Sequence, residues 1–455
     1  MYLRALRSFS QNKAFNHFIR TYTTKQQRPS VPKVSHPLRI LFCGSDDLSS
    51  ACLRALYEEK QQDPRIKSID VLIRPAKPYG RDLKKVREVP LKAVAEELGL
   101  EVHQRDTFTG WDLPMPDGSA INLIIAVSFG LFVPPRILNS ALYSGINVHP
   151  SLLPNYRGPA PLQHILMNGE NFTGVTVQTL DPVAFDHGTI LWQTPQEHIH
   201  DIKEMHTLTY PQLLENITPY AAGALVQAIK ARVFVPPLQD VGWYLSGERK
   251  EGKEVKVVHA HKITKADRQV DWTEISYAIE NKYRALGSMW TKIFIDKSKS
   301  VRLILDDISI VSHSIDKIRR RLKEKRFSRD GKLRPHPFDD EIKFAVRSEK
   351  GDDRDDWHDG RGLLLYVEDG DGIIIACQAT KNRALRVGRM TLEGKTSQSA
   401  STVMSNLEGT GFLSEPGQWI LMKRTNKILA LPRSHALRQS DGAYDQPSSP
   451  FAIRS

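Results

Sequence analysis

The clearest pattern in the chain is a series of short apolar runs that alternate with helix-like segments between residues 38 and 230. Leu38–Cys43 and Ala120–Val127 are continuously apolar, as expected of strands buried inside a parallel sheet. Asp46–Glu59 carries its apolar residues at helical spacing behind a capping aspartate. We therefore predict an α/β unit with a Rossmann-like open, mostly parallel sheet. The other predicted strands are Ile69–Ile73, Glu101–His103, Gly145–His149, Gly174–Leu180 and Thr189–Gln193, and the other predicted helices are Pro90–Leu98 and Met205–Lys230.

The pattern changes after Pro236 and Pro237, where a linker begins. Short strands without helices between them follow, and they predict a small OB-like β-barrel. The catalytic part would then be residues 36–237, the linker 238–254, the barrel 255–432 and a polar tail 433–455. The predicted barrel strands are Thr291–Ile295, Val301–Ile310, Leu363–Val367 and Gly372–Gln378, whereas Trp272 and Trp290 are expected in the barrel core.

Charge is distributed unevenly along the chain. Of the formal net charge of +12, residues 1–35 contribute seven basic and no acidic side chains. An Arg-containing, acid-free and hydroxyl-rich N-terminus is typical of a mitochondrial targeting segment, and a cleavage site is expected after Tyr22. We expect a matrix location. The alternative is a basic arm that binds nucleic acid.

A second charged segment, residues 311–360, interrupts the predicted barrel. Lys317–Arg334 has ten basic residues, and Asp339–Asp359 has nine acidic ones. The segment has few apolar residues, which predicts a solvated insertion. A nucleic-acid role for its basic half stays open.

Composition argues against a membrane span or a metal centre. The longest strongly apolar run, Ile121–Val133, is too short to cross a bilayer. The three cysteines show no metal-binding spacing, and the alternating histidines near residues 198–200 and 259–261 lack supporting ligands. We therefore expect no membrane association and no metal.

The candidate chemistry centres on the segment GINVHPSLLPNYRG, Gly145–Gly158. Asn147 and His149 stand at the end of a predicted buried strand, and Asp186 follows in the glycine-marked turn FDHG. Asn can donate to an oxyanion, His can carry a proton near neutral pH, and Asp can orient the His. These three are the candidate catalytic residues.

The motifs NVH, SLLPxxRG, AP and the later Asp-x-Gly resemble the formyltetrahydrofolate-dependent formyltransferase family. The resemblance implies 10-formyltetrahydrofolate as the one-carbon donor, no metal and no covalent enzyme intermediate. It also implies donor-binding residues along two loops and beside the catalytic Asp. These are Ser128, Phe129, Gly130, Leu131, Ser151, Leu152, Leu153, Pro154 and Asp181.

Other segments resemble the branch of this family that formylates methionyl-tRNA. The segment RPAKPYGRDLKK, Arg74–Lys85, resembles its basic loop, so Arg81, Lys84 and Lys85 are candidate tRNA-binding residues. The resemblance spans roughly residues 38–410 and implies initiator methionyl-tRNA as the acceptor, with the enzyme acting as a monomer. The alternatives are a formyltransferase or hydrolase with a small acceptor such as glycinamide ribonucleotide, and a non-catalytic RNA-binding relative.

Three positions depart from the family pattern. Pro150 replaces a usual Gly after His149, His187 replaces a usual Thr after Asp186, and Tyr79 replaces a small residue. The role of Arg157 is open between substrate binding and clamping its own loop. The departures put the local backbone and hydrogen bonds in question, whereas the three candidate catalytic side chains are intact.

Overall fold

The computed structural model of the chain divides into two compact units. The first comprises residues up to Val270 together with Tyr277–Met289, and the second comprises Asp271–Ser276 and residues from Trp290 onward. The predicted targeting segment up to residue 32, most of the linker and insertion, and the tail lie outside the described residues. The described residues are 33–79, 85–199, 202, 204–244, 257–272, 274–294, 300–311, 344–346, 365–376, 383–407 and 419–421.

A seven-stranded sheet organises the first unit, with the strand order β5-β2-β1-β6-β7-β8-β9. The first five strands in that order are parallel, and the last two are antiparallel to their neighbours. The predicted open, mostly parallel sheet is therefore confirmed. The elements are β1 (Leu38–Gly44), α1 (Asp47–Gln62), β2 (Ile66–Ile73), β3 (Lys77–Tyr79), β4 (Lys85–Arg87), α2 (Pro90–Glu97), β5 (Val102–Gln104), β6 (Leu123–Val127), α3 (Pro135–Ser140), β7 (Gly145–His149), α4 (Pro161–Met167), β8 (Thr176–Thr179), β9 (Ile190–Gln193) and α5 (Tyr210–Ala231).

Both faces of this sheet are buried, which explains the continuous apolar runs. Ile40 and Phe42 of β1 belong to one core cluster, whereas Leu41 and Cys43 belong to the other. Because neighbouring side chains of a strand point to opposite faces, two covered faces require apolar residues at every position.

Local capping determines where the long helices begin. Asp46 caps α1 by accepting a hydrogen bond from the Ser49 main-chain N–H at 3.0 Å. Helix α5 begins at Tyr210 and not at the predicted Met205, because Thr209 and Gln212 form a capping box there. Among the described helices, none is long and apolar enough to cross a bilayer.

A second sheet organises the other unit, with the path β12-β17-β10-β11-β15-β14-β13. Most of its pairs are antiparallel, and this confirms a C-terminal β domain. Trp272 is buried as predicted, whereas Trp290 is half-buried beneath the guanidinium of Arg302, 5.0 Å from its ring centre. The elements from residue 276 onward are α6 (Ser276–Leu286), β10 (Met289–Phe294), β11 (Ser300–Val311), β12 (Phe344–Val346), β13 (Leu365–Asp369), β14 (Gly372–Ala376), β15 (Ala384–Leu392), β16 (Gln398–Ser399), α7 (Ala400–Leu407) and β17 (Trp419–Leu421).

Candidate active site

Three predicted catalytic residues meet at the carboxyl end of β7. Asn147 and His149 are two positions apart on this strand, so their side chains share one face. Asp186 reaches them from the loop after β8, with a left-handed φ of 60°. Its Oδ1 atom lies 3.2 Å from Nδ2 of Asn147 and 3.5 Å from Nδ1 of His149.

Hydrogen-bond donors hold the Asp186 carboxylate on both oxygens. Oδ1 also accepts from Nε2 of Gln178 at 3.0 Å, and Oδ2 accepts from the main-chain N–H of Gly158 at 2.9 Å. The side chain is 10% exposed. Both oxygens of this largely buried carboxylate therefore have hydrogen-bond donors.

The ring of His149 is engaged on both nitrogens. Nε2 lies 2.9 Å from the main-chain oxygen of Tyr156. Because a carbonyl oxygen only accepts, Nε2 carries a hydrogen, and Nδ1 is left facing the Asp186 carboxylate. Nδ1 is therefore the ring nitrogen available to Asp186 or to a substrate.

The two departures beside these residues leave the cluster intact. Pro150 is buried, and the chain turns at once because the Ser151 main-chain N–H donates to the oxygen of His149 at 2.9 Å. His187 is exposed, and its Nδ1 lies 2.6 Å from the main-chain oxygen of Phe185. Neither side chain has a described hydrogen bond to Asp186.

A cavity of about 350 Å³ opens beside the cluster. Asn147, His149 and Asp186 line it, together with five predicted donor-binding residues: Ser128, Phe129, Gly130, Leu131 and Asp181. Hydrogen bonds from the main-chain N–H groups of Ala184 and Val183 lower the pKa of Asp181 and leave it charged in the same loop as Asp186.

An aromatic pair belongs to the same cavity lining. The rings of Phe132 and Phe185 meet edge to face, with centres 5.2 Å apart. Phe185 is 55% exposed despite its size. An exposed ring at a cavity wall is a contact surface for an aromatic or apolar part of a ligand.

The other four predicted donor-binding residues, Ser151 to Pro154, do not line this cavity. They are buried next to it, where Thr176 accepts a hydrogen bond from the Leu153 N–H at 3.2 Å and donates to the Ser151 oxygen at 2.7 Å. Their side chains therefore lie within the core, and their part in donor binding stays a prediction.

A segment beyond the predicted linker completes the loop around Arg157. The Tyr156 N–H donates to the oxygen of Val258 at 2.7 Å, and the Ala260 N–H donates to the oxygen of Arg157 at 2.7 Å. Gly158 follows with φ at 118°, and a Cβ there would lie 2.4 Å from the Ala260 oxygen. The described residues 257–270 thus pack with the first unit.

The predicted tRNA-binding residues fall mostly outside the described part of the chain, which omits Arg81 and Lys84. Lys85 begins β4, which pairs antiparallel with β3 in a hairpin. In that hairpin Lys77 stands directly opposite Arg87, and both side chains are exposed. Like charges opposite each other destabilise a strand pair, so this position favours an anionic partner.

The histidines considered for metal binding have other contacts. Nε2 of His261 lies 3.2 Å from Oδ1 of Asp267, and the ring of His261 packs edge to face on that of His164. Within the described residues, no group of three His, Cys, Asp or Glu side chains is arranged to hold a metal ion.

Two participants were absent from the site predicted from the sequence. Gln178 faces Asn147 only because of the antiparallel register of β8 on β7. The Gly158 N–H contributes through its backbone. Strand register was the missing signal for Gln178, and a single sequence does not provide it.

Comparison with known proteins identifies the family. The formyl transferase domain model matches residues 38–212. The mitochondrial methionyl-tRNA formyltransferase of Saccharomyces cerevisiae is 31% identical over 285 residues, covering 56% of this chain and 69% of the relative. The methionyl-tRNA formyltransferase of Caldicellulosiruptor saccharolyticus is 32% identical over 268 residues, covering 58% of this chain and 78% of the relative.

Solved structures show a more distant likeness. A sugar 3N-formyl transferase, crystallised with dTDP and 5-N-formyl-THF, aligns with 80% of this chain and 100% of its own at a TM-score of 0.42 and 14% identity. The sequence relatives are much closer and match over more than two thirds of their own length. On that basis, the chain belongs to the methionyl-tRNA formyltransferases.

Proposed function

We propose that this protein transfers the formyl group of 10-formyltetrahydrofolate to the α-amine of methionyl-initiator tRNA. The observation that carries the proposal is the convergence of Asn147, His149 and Asp186 at the wall of one cavity. A silent RNA-binding relative would not need this cluster, and the family relationship supports the same acceptor.

Charge development in the reaction assigns a role to each side chain. The amine nitrogen bonds to the formyl carbon, and negative charge grows on the formyl oxygen. Asn147 donates the Nδ2 hydrogen that does not face Asp186, and His149 donates Nδ1–H. One donor of this kind typically contributes about 2.7–4 kcal/mol to transition-state stabilisation. The bond from carbon to N10 then breaks, and the proton lost by the amine ends on N10.

The donor is proposed to occupy the cavity lined by Ser128–Leu131 and Asp181. Main-chain groups of this loop suit the polar edge of a pterin, and the apolar side chains of Leu131, Phe132 and Val133 also line the cavity. The exposed Phe185 suits the aryl ring that connects the pterin to the glutamate tail of the folate.

The acceptor is proposed to lie against the β3–β4 hairpin. Its opposed Lys77 and Arg87 supply cations for tRNA phosphates, and Arg81, Lys84 and Lys85 extend the same basic segment. The basic, acid-free N-terminus and the mitochondrial yeast relative support a mitochondrial location, and we extend this proposal to the matrix and to a monomeric enzyme.

An acceptor assay tests the function. The purified protein receives labelled 10-formyltetrahydrofolate with initiator methionyl-tRNA, elongator methionyl-tRNA or glycinamide ribonucleotide. Label on initiator methionyl-tRNA that is lost in Asp186→Asn supports the proposal, because this change keeps the shape and removes the charge. Label on glycinamide ribonucleotide alone, or equal transfer by Asp186→Asn, contradicts it.

A further inference from the structure

One buried polar atom beside the catalytic cluster has no described partner. Gln178 is 1% exposed, and its Nε2 donates to Oδ1 of Asp186 at 3.0 Å. Its Oε1 is buried too, and no hydrogen-bond donor reaches it from the described residues. Burying an amide oxygen without a donor is costly, so this atom calls for an explanation.

A second buried glutamine, on the adjoining strand, has hydrogen-bond partners on both its amide nitrogen and its amide oxygen. Gln193 of β9 is completely buried, and its Nε2 donates to the oxygen of Leu153 at 2.9 Å. Its Oε1 accepts from the main-chain N–H groups of Trp243 and Tyr244, each at 3.2 Å. The sheet can therefore satisfy a buried glutamine, and of these two glutamines only Gln178 leaves its amide oxygen unpaired.

The hydrogen-bond partners of Asp186 indicate a role for the unpaired oxygen of Gln178. In the described structure, its three hydrogen-bond partners on both oxygens are donors: Nδ2 of Asn147, Nε2 of Gln178 and the Gly158 N–H. A charged carboxylate is well served by such partners. When Nδ1 of His149 also carries a hydrogen, a protonated carboxyl group there has no acceptor for its hydrogen unless an amide exchanges its nitrogen for its oxygen.

Gln178 can make that exchange. A half-turn of its terminal amide places Oε1 where Nε2 now lies, opposite Asp186, so the same side chain serves either protonation state. Asn147 is the other amide in contact, but a turn there would remove its N–H from the formyl oxygen. The unpaired oxygen of Gln178 thus matches the acceptor that a protonated Asp186 lacks.

We propose that Gln178 is a positioning residue that lets Asp186 hold the amine proton during formyl transfer. The inference rests on the proposed function. As the amine nitrogen bonds to the formyl carbon, its proton moves to Asp186, and Oε1 of the turned amide accepts the new O–H. As the bond from carbon to N10 breaks, the proton passes to N10, and the amide returns to donating from Nε2.

The titratable groups around this pair are few within the described residues. His149 faces Asp186 from β7 at 3.5 Å. In the same loop, Asp181 accepts from main-chain N–H groups, and His187 lies against the Phe185 oxygen. Among the described residues, His149 is therefore the titratable side chain that faces Asp186 directly.

The first test compares Gln178→Met with the matched control Gln193→Met in the full-length chain. Gln178→Met should lower kcat at least about tenfold, leave both KM values within about twofold, and lower the Tm by no more than the loss of its one hydrogen bond to Asp186 requires. Gln193→Met should lower the Tm and keep kcat within about twofold, because it strands four paired groups.

The second test uses Gln178→Glu, which is isosteric. A protonated glutamic acid offers Asp186 an O–H and a C=O, as the amide does, whereas a glutamate repels it. The ratio of kcat in Gln178→Glu to kcat in the parent should therefore rise as the pH falls from about 8 to about 6. A flat ratio, or a kcat of Gln178→Met within about twofold of an active parent, overturns the role of Gln178. A parent without transfer activity contradicts the proposed function instead.

Discussion

His149 Nε2 donates to the main-chain oxygen of Tyr156 over 2.9 Å, seven residues further along the chain. The contact fixes the ring and leaves Nδ1 as the nitrogen that faces Asp186 and the cavity. In the proposed mechanism the two nitrogens therefore have separate tasks, one in holding the loop and one in the reaction.

This division can be tested by two amide substitutions. The amide nitrogen of Asn superimposes on Nδ1, and that of Gln on Nε2. His149→Asn should keep a donor toward the substrate and lose about 10² in kcat, whereas His149→Gln should lose about 10³. Stability should follow the opposite order, because Asn leaves the Tyr156 oxygen unpaired at a cost of about 1–3 kcal/mol. Single-turnover rates measure the loss of kcat, and urea unfolding measures the loss of stability. The assignment would be contradicted if the same variant were the worse one in both measurements.

The close approach of Gly158 to Ala260 predicts a large effect for one methyl group. In Gly158→Ala the new Cβ would meet the Ala260 oxygen at 2.4 Å with φ at 118°, so we expect a loss of about 2–4 kcal/mol and a displaced N–H donor to Asp186. The control is Gly110→Ala, where φ is 65° and the nearest atoms are beyond 4 Å. It should cost about 1 kcal/mol and spare kcat. Similar losses in both variants would remove the steric argument.

The exposed ring of Phe185 predicts a binding effect without a folding effect. Phe185→Ala should raise KM for 10-formyltetrahydrofolate about fivefold, the equivalent of an aromatic contact of about 1 kcal/mol, with little change in kcat. Leu142→Ala is the control, because Leu142 is 62% exposed and absent from the cavity lining. An unchanged KM in Phe185→Ala would exclude the ring from the donor site.

Removing the two opposed cations of the hairpin should weaken the use of tRNA without lowering stability. The double variant Lys77→Gln, Arg87→Gln should raise KM for methionyl-tRNA several-fold and weaken its dependence on salt, because two phosphate contacts are lost. Its Tm should be unchanged or higher, since a like-charged pair is removed. Lys67→Gln is the control, because Lys67 is an exposed lysine near the start of β2, at the end of that strand far from the hairpin. It should change neither the KM for methionyl-tRNA nor the Tm. Equal defects with the folate donor would contradict tRNA contact.

Much of the fold was predictable because burial on both faces leaves a simple signature. The predicted Gly145–His149 matches β7 in full, and the sheet class followed from apolar runs alone. Helices α3 and α4 were not predicted, since six or seven residues are too few to show helical periodicity.

The part of the site that lies at the end of a single strand was the easiest to predict. Asn147 and His149 belong to one strand, so their meeting needed no knowledge of the fold. Gln178 depends on the register of β8, and the Ala260 contact depends on a segment far away in sequence. The Leu152–Leu153 pair was assigned to the donor pocket by resemblance, whereas its apolar side chains pack into the interior.

The contacts of residues 258–260 with the catalytic loop have a consequence for protein synthesis. A nascent chain emerges from its N-terminus, so the sheet, Asn147, His149 and Asp186 leave the ribosome before the segment that pairs with Tyr156 and Arg157. A product terminated within residues 238–254 would contain every catalytic side chain but lack those main-chain partners. We therefore expect a product truncated before Ala260 to lack formyl-transfer activity, although it carries all three candidate catalytic side chains.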